Sequence, residues 1–146
     1  MRSESWLIDQ LQLVLAKYFA NLKISNPIEI KWGREAKYRF GSIRLIKPKG
    51  IRLLSKRSHP QKSVIKITSM FRSNLIPEKV VQYTIAHELC HYAHGFSSSN
   101  KRLFRHPHHG GVVNRELTER GAEDLIHEFK RWLKQYRKRI LQSMKI

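Results

Sequence analysis

His87-Glu88-Leu89-Cys90-His91 places two imidazoles four residues apart, with a carboxylate directly after the first. In an α-helix, residues four apart lie one turn above each other on one face. His87 and His91 can therefore reach one metal ion together. Glu88 lies beside them, too short and misplaced to be a third ligand on that face. It is well placed to take a proton from a water held at the metal. Two imidazoles for Zn²⁺, an adjacent general base and an open coordination position are the parts of an HExxH hydrolase site. The residues before it, Val80-Val81-Gln82-Tyr83-Thr84-Ile85-Ala86, are mostly apolar or β-branched, as a buried catalytic helix requires. No Lys or Arg stands between Lys79 and Lys101, so a buried Glu88 is costly unless it is paired or metal-linked.

Such a site needs a third ligand. The HExxHxxGxxH arrangement is excluded, because His94 stands where its Gly belongs and Ser97 where its third His belongs. One source is Arg105-His106-Pro107-His108-His109-Gly110-Gly111, in which His108 and His109 follow His91 by seventeen and eighteen residues. The other is a carboxylate, Glu119 or Glu116. Three histidines clustered in a Pro/Gly loop are hard to explain structurally, which favours His, with His108 and His109 as alternatives. His94 reads as a cap on the helix C-terminus through favourable charge, rather than as a residue at the mouth of the site. Cys90 reads as a small buried side chain.

Three helices and a small sheet must position these groups. Leu7, Leu11, Val14, Leu15, Tyr18 and Leu22 recur at helical spacing and predict an amphipathic helix over about 4–22, which Asn26-Pro27 ends. Short β-prone runs follow at 28–32, 37–46, 51–54 and 63–69, and their spacing predicts a small, mostly antiparallel sheet. Pro77-Glu78 opens the HExxH helix, which runs to about Tyr92. Residues 94–111 read as a loop, and 112–143 as a helical region that Gly121 interrupts, with one apolar stripe and one basic face.

The 146 residues suit one domain, and a 40% hydrophobic content suits a globular one. No apolar run approaches the length that spans a bilayer, so no membrane partner is expected. The N-terminal stretch reads as a helix rather than a signal peptide, so a cytoplasmic location is expected. With Cys90 as the sole cysteine, no internal disulfide and no cysteine-based zinc ribbon can form.

Lys and Arg number 29 against 11 acids, a net charge of +18. Residues 31–72 alone carry thirteen basic residues and one acid. A polyanion is the natural partner of such a surface, and nucleic acid is the commonest. Arg39, Arg44, Lys47, Lys49, Arg52, Lys56, Arg57 and Lys62 alternate with apolar positions or sit in turns. Alternation would gather many of them on the sheet face away from the core, as a phosphate-binding groove.

Arg39-Phe40-Gly41-Ser42, His87 to His91, and His108/His109 followed by Gly110-Gly111 together resemble the SprT-like zinc metalloprotease domains, which include the Spartan-type proteases. The resemblance covers roughly residues 5–130. It implies an α+β domain of minimal zincin type spanning 1–146: an N-terminal helix, a small sheet, the HExxH helix and a basic C-terminal helix. It implies one Zn²⁺ per chain held by His87, His91 and one of His108 and His109, with Glu88 as catalytic base. It implies a protein substrate, DNA-associated or crosslinked to DNA, and hence association with the nucleoid. Two departures stand out: the loop to the third His is long, and no cysteine ribbon follows. His87 to Gly95 and Thr118-Glu119-Arg120-Gly121-Ala122-Glu123-Asp124 also resemble, more weakly, the ImmA/IrrE regulatory peptidases, in which Glu119 would be the third ligand. A nucleic-acid-binding protein with a structural, non-catalytic zinc is the reading from another class.

Overall fold

The computed structural model describes residues 1–47 and 61–144. Its elements are α1 (Glu4–Tyr18), β1 (Ile28–Trp32), β2 (Gly41–Ile46), β3 (Lys62–Ile67), α2 (Glu78–Ala93), α3 (Val112–Glu119) and α4 (Glu123–Met144), with 3-10 turns at Ser69–Arg72 and His109–Gly111. The fold is α+β. The strand expected at 51–54 lies outside the described residues.

α2 is the central element and touches α1, α3, α4, β2 and β3. A helix apolar on every side is one that is buried on every side. From Val80 to Tyr92 every residue of α2 except His87 is buried. α1 begins where the Ser3 side chain accepts a hydrogen bond from Trp6 N–H, with Glu4 in the first turn. It ends at Tyr18, four residues short of the expected boundary. Leu22 still packs against the core, but from a turn in which its N–H donates to Phe19 O at 2.9 Å. Helical spacing persists there without helical backbone, because the apolar side chain has a place in the core either way.

Among the described residues the sheet is mixed rather than mostly antiparallel. Its order is β1-β3-β2, with β3 parallel to β1 and antiparallel to β2. β3 holds the centre and is the most buried strand: Ser63, Val64, Ile65 and Ile67 are all buried. Burial on both faces is the demand made of a central strand. β1 and β2 then flank it instead of pairing as a hairpin. In register, Ile30, Ile65 and Ile43 form one row on the core face, while Lys31, Lys66 and Ser42 form a row on the other.

The C-terminal helical region divides as expected near Gly121. Ala122 N–H donates to Leu117 O at 2.8 Å and Gly121 N–H to Thr118 O at 3.0 Å, which satisfies the last carbonyls of α3. α4 then lies along α2 and is fixed at its far half by aromatics. Phe40 meets Phe71, Trp132 and Tyr136 at centroid distances of 5.3, 5.4 and 5.8 Å, and Tyr136 Oη donates to Lys37 O at 2.8 Å.

Tyr92, fully buried at the end of α2, ties the helix to the chain before β1. Its hydroxyl donates to Asn26 O at 2.7 Å and accepts from Asn26 N–H at 3.1 Å. Tyr92→Phe strands two buried backbone groups. The expected loss is about 1–3 kcal/mol of stability, read as a lower urea midpoint at unchanged m-value.

Candidate metal centre

His87 and His91 stand one turn apart on α2, with ring centroids 4.7 Å apart. Bringing a third imidazole to them depends on how the chain leaves the helix. His94 is the C-cap residue, and Gly95 adopts φ +83°. A Cβ at Gly95 would lie 2.5 Å from Arg102 Cα, so only glycine lets the two backbones touch there. Leu103 N–H donates to His94 O at 2.9 Å, so the chain doubles back along the helix end. Between these points, Ser63 Oγ donates to Ser97 O at 2.6 Å and Ser99 N–H to Asn26 Oδ1 at 2.8 Å. The chain after this turn carries His108 over α2.

His108 completes a cluster with His87 and His91 whose ligand atoms all lie within 4.8 Å of one another. The Nε2 atoms of His87 and His108 are 3.1 Å apart. Zinc–imidazole bonds of about 2.0–2.1 Å at tetrahedral angles separate ligand nitrogens by roughly 3.3 Å. The spacing therefore suits a shared metal ion. Nδ1 of His91 is buried with no hydrogen-bond partner. Burial, and then the neighbouring imidazoles of His91 and His108, push His87 down to about 3. Burial, then His108 and His94, push His91 down to about 4. Both rings are neutral near pH 7, which is the state that binds a metal. Three imidazoles beside a carboxylate fit Zn²⁺.

Glu88, 6% exposed, lines the same cavity of about 430 Å³. Burial pushes its carboxyl up to about 7, against the opposing pull of the Arg39 guanidinium. β2 approaches this carboxylate because residue 41 is glycine. A Cβ at Gly41 would lie 2.7 Å from Thr84 Cγ2 and 3.2 Å from Glu88 Oε2. The cavity wall is aromatic: Tyr83 stacks on Phe129 at 4.2 Å, with Phe40, Tyr38 and Phe96 around them. Tyr83 Oη donates to Asn114 Oδ1 at 2.8 Å; burial pushes its hydroxyl up to about 12, and this hydrogen bond opposes the shift.

The other expected residues fall elsewhere. Glu119 is exposed on α3 and stands outside the cluster. Glu116 faces His94 instead. It shares a short hydrogen bond with His94 Nε2 and accepts from Arg120 Nε at 2.9 Å. Burial pushes the Glu116 carboxyl up, but these bonds offset it and hold the group below the usual carboxylate range. Arg120 also donates to Tyr18 O and Asn21 Oδ1. His94 is thus a buried tie between helices, 1% exposed, and not a residue of the cavity mouth. Cys90 is buried and burial pushes its thiol up, so it is a packing residue. His106 is exposed and outside the cluster, and the side chain of His109 lies outside the described residues.

Of the expected phosphate contacts, Arg44 lies exposed on the outer sheet face with Lys31 and Lys66, and Lys47 is exposed just beyond β2. Arg39 lines the cavity rather than the sheet face. Lys49, Arg52, Lys56 and Arg57 lie outside the described residues. Tyr83 and Phe129 are cavity residues that the sequence does not mark; at helical spacing they look like core, and nothing local identifies them as cavity wall.

No match was found for this chain among protein-family models, curated proteins or solved structures.

Two measurements check this geometry. Elemental analysis of purified protein should give about one zinc per chain, lost in His87→Ala, His91→Ala and His108→Ala and retained in Glu119→Ala. Zinc retained in His108→Ala would remove that residue from the ligand set. Gly41→Ala should cost about 1–3 kcal/mol in denaturant unfolding through the clash with Thr84; an unchanged midpoint would mean that β2 and α2 are not so closely packed.

Proposed function

We propose that this chain is a zinc-dependent metallopeptidase of SprT-like type, acting on DNA-associated or DNA-crosslinked proteins. The observation that carries the reading is the convergence of His87, His91 and His108 with Glu88 in one cavity. When bound, Zn²⁺ supplies a Lewis acid and lowers the pKa of a water to about 7. His87, His91 and His108 would hold it through their imidazole nitrogens. Glu88 takes the proton from the attacking water as its oxygen bonds to the peptide carbonyl carbon. It then delivers that proton to the leaving amine as the C–N bond breaks. Tyr83, Phe129 and Phe40 form an aromatic wall beside these groups.

The basic surface supports the DNA part of the reading. Lys31, Arg44 and Lys66 share the exposed face of the sheet. Lys130, Lys134, Arg137, Lys138 and Arg139 are exposed on α4, where Arg131 pairs with Glu128. Phosphates are the groups such faces take up, with an affinity that falls steeply as salt rises. The Glu119 reading finds no support in its position, and Glu116 is already engaged by His94 and Arg120.

Glu88→Gln keeps the side-chain volume and removes the base. Cleavage of a protein crosslinked to a DNA oligonucleotide should fall by about 10²–10⁴-fold, with zinc content unchanged. Full cleavage by Glu88→Gln would sink this mechanism.

A further inference from the structure

Among the described residues, the cavity is lined by one permanent cation, Arg39, on the wall formed by the chain entering β2. Its backbone is held on both sides: before it, Lys37 O accepts from Tyr136 Oη at 2.8 Å, and after it the chain is packed. Phe40 is locked among Phe71, Trp132 and Tyr136, and its carbonyl accepts from Thr68 N–H at 2.8 Å. Gly41 presses against Thr84 and Glu88. The side chain itself is exposed and, among the described residues, has neither a hydrogen bond nor an ion pair. Glu88 does not engage it within ion-pair distance, although its charge is felt there.

Another guanidinium near the cavity, that of Arg102, is committed. It lies 4.6 Å over the Phe96 ring, and it donates to Phe104 O at 3.2 Å and Arg105 O at 2.7 Å. Arg39 is therefore a cation on a fixed stretch of backbone, facing a cleft whose lining, among the described residues, includes no carboxylate but Glu88. A guanidinium presents a planar fork of donors that matches a carboxylate with two parallel hydrogen bonds.

The geometry points to Arg39 as an anion subsite of this cleft, which takes a carboxylate of the peptide substrate near the bond to be cut. This rests on the peptidase reading. The carboxylate has two sources, an Asp or Glu side chain beside that bond or the C-terminus of the substrate. A Lys or Arg side chain brought to the same wall meets a like charge.

The probe is a pair of small hydroxamates, succinic monohydroxamate and its neutral carboxamide, titrated into zinc-loaded full-length protein by calorimetry. The acid should bind about tenfold more tightly, a difference of one charge-assisted contact. Arg39→Ala should abolish that preference while retaining zinc, and Arg39→Lys should keep part of it. Equal binding of the two probes, or a preference that survives in Arg39→Ala, overturns the subsite. Peptide pairs, Asp against Asn beside the cut and free acid against amide at the C-terminus, then separate the sources by kcat/KM; equal values in both pairs overturn it as well. A protein that takes up no zinc and binds neither hydroxamate overturns the peptidase reading itself, and the subsite with it.

Discussion

Glu88 and His91 sit on a helix whose flanks are packed in hydrocarbon, and neither has the solvent contact that polar groups normally keep. Burying a charge without a partner costs far more than a typical hydrogen bond returns. The chain meets this constraint by shifting each of these groups toward its neutral form. Both helix imidazoles are pushed well below their usual range, and the carboxyl is pushed well above it. The cavity beside α2, its aromatic wall and the returning loop all surround this polar cluster. A metal ion would resolve the remaining cost, because it supplies the partner that buried imidazole nitrogens lack.

Charge is sorted in the opposite sense on the outside. The pleat of the sheet sends Ile30, Ile65 and Ile43 inward and Lys31, Lys66 and Arg44 outward. α4 does the same with a helical period: Leu125, Ile126, Trp132 and Tyr136 are buried while its cations face solvent. The strong positive field therefore surrounds a cleft that itself carries little charge. Arg39 is where the two regimes meet, a cation of the basic segment brought to the cavity wall.

Three ties hold the site together. One is the touch between Gly95 and Arg102, which reverses the chain after α2 and returns His108 to the helix. A second is the Phe40 cluster, which joins the entry to β2 with α4 and so sets one wall of the cleft. His94, Glu116 and Arg120 form a third tie, between the end of α2, α3 and the end of α1. It removes Glu116 from any metal-binding part and explains why the histidine after the motif is buried.

Short-range physics was legible in the residues alone. The four-residue spacing of His87 and His91, the apolar run through Ala86 and the break at Gly121 follow from helical period and backbone freedom, which do not depend on the rest of the chain. The alternation that turns Arg44 outward is equally local. The mixed sheet order was not legible, because which strand takes the centre depends on how three strands compete for burial. Nor was the choice of His108, the diversion of Glu116 to His94, or the place of Arg39 beside Glu88. Those depend on contacts between residues far apart in the chain. Such contacts are set by packing and close backbone approach, at Gly41 and Gly95 above all, and no local pattern encodes them.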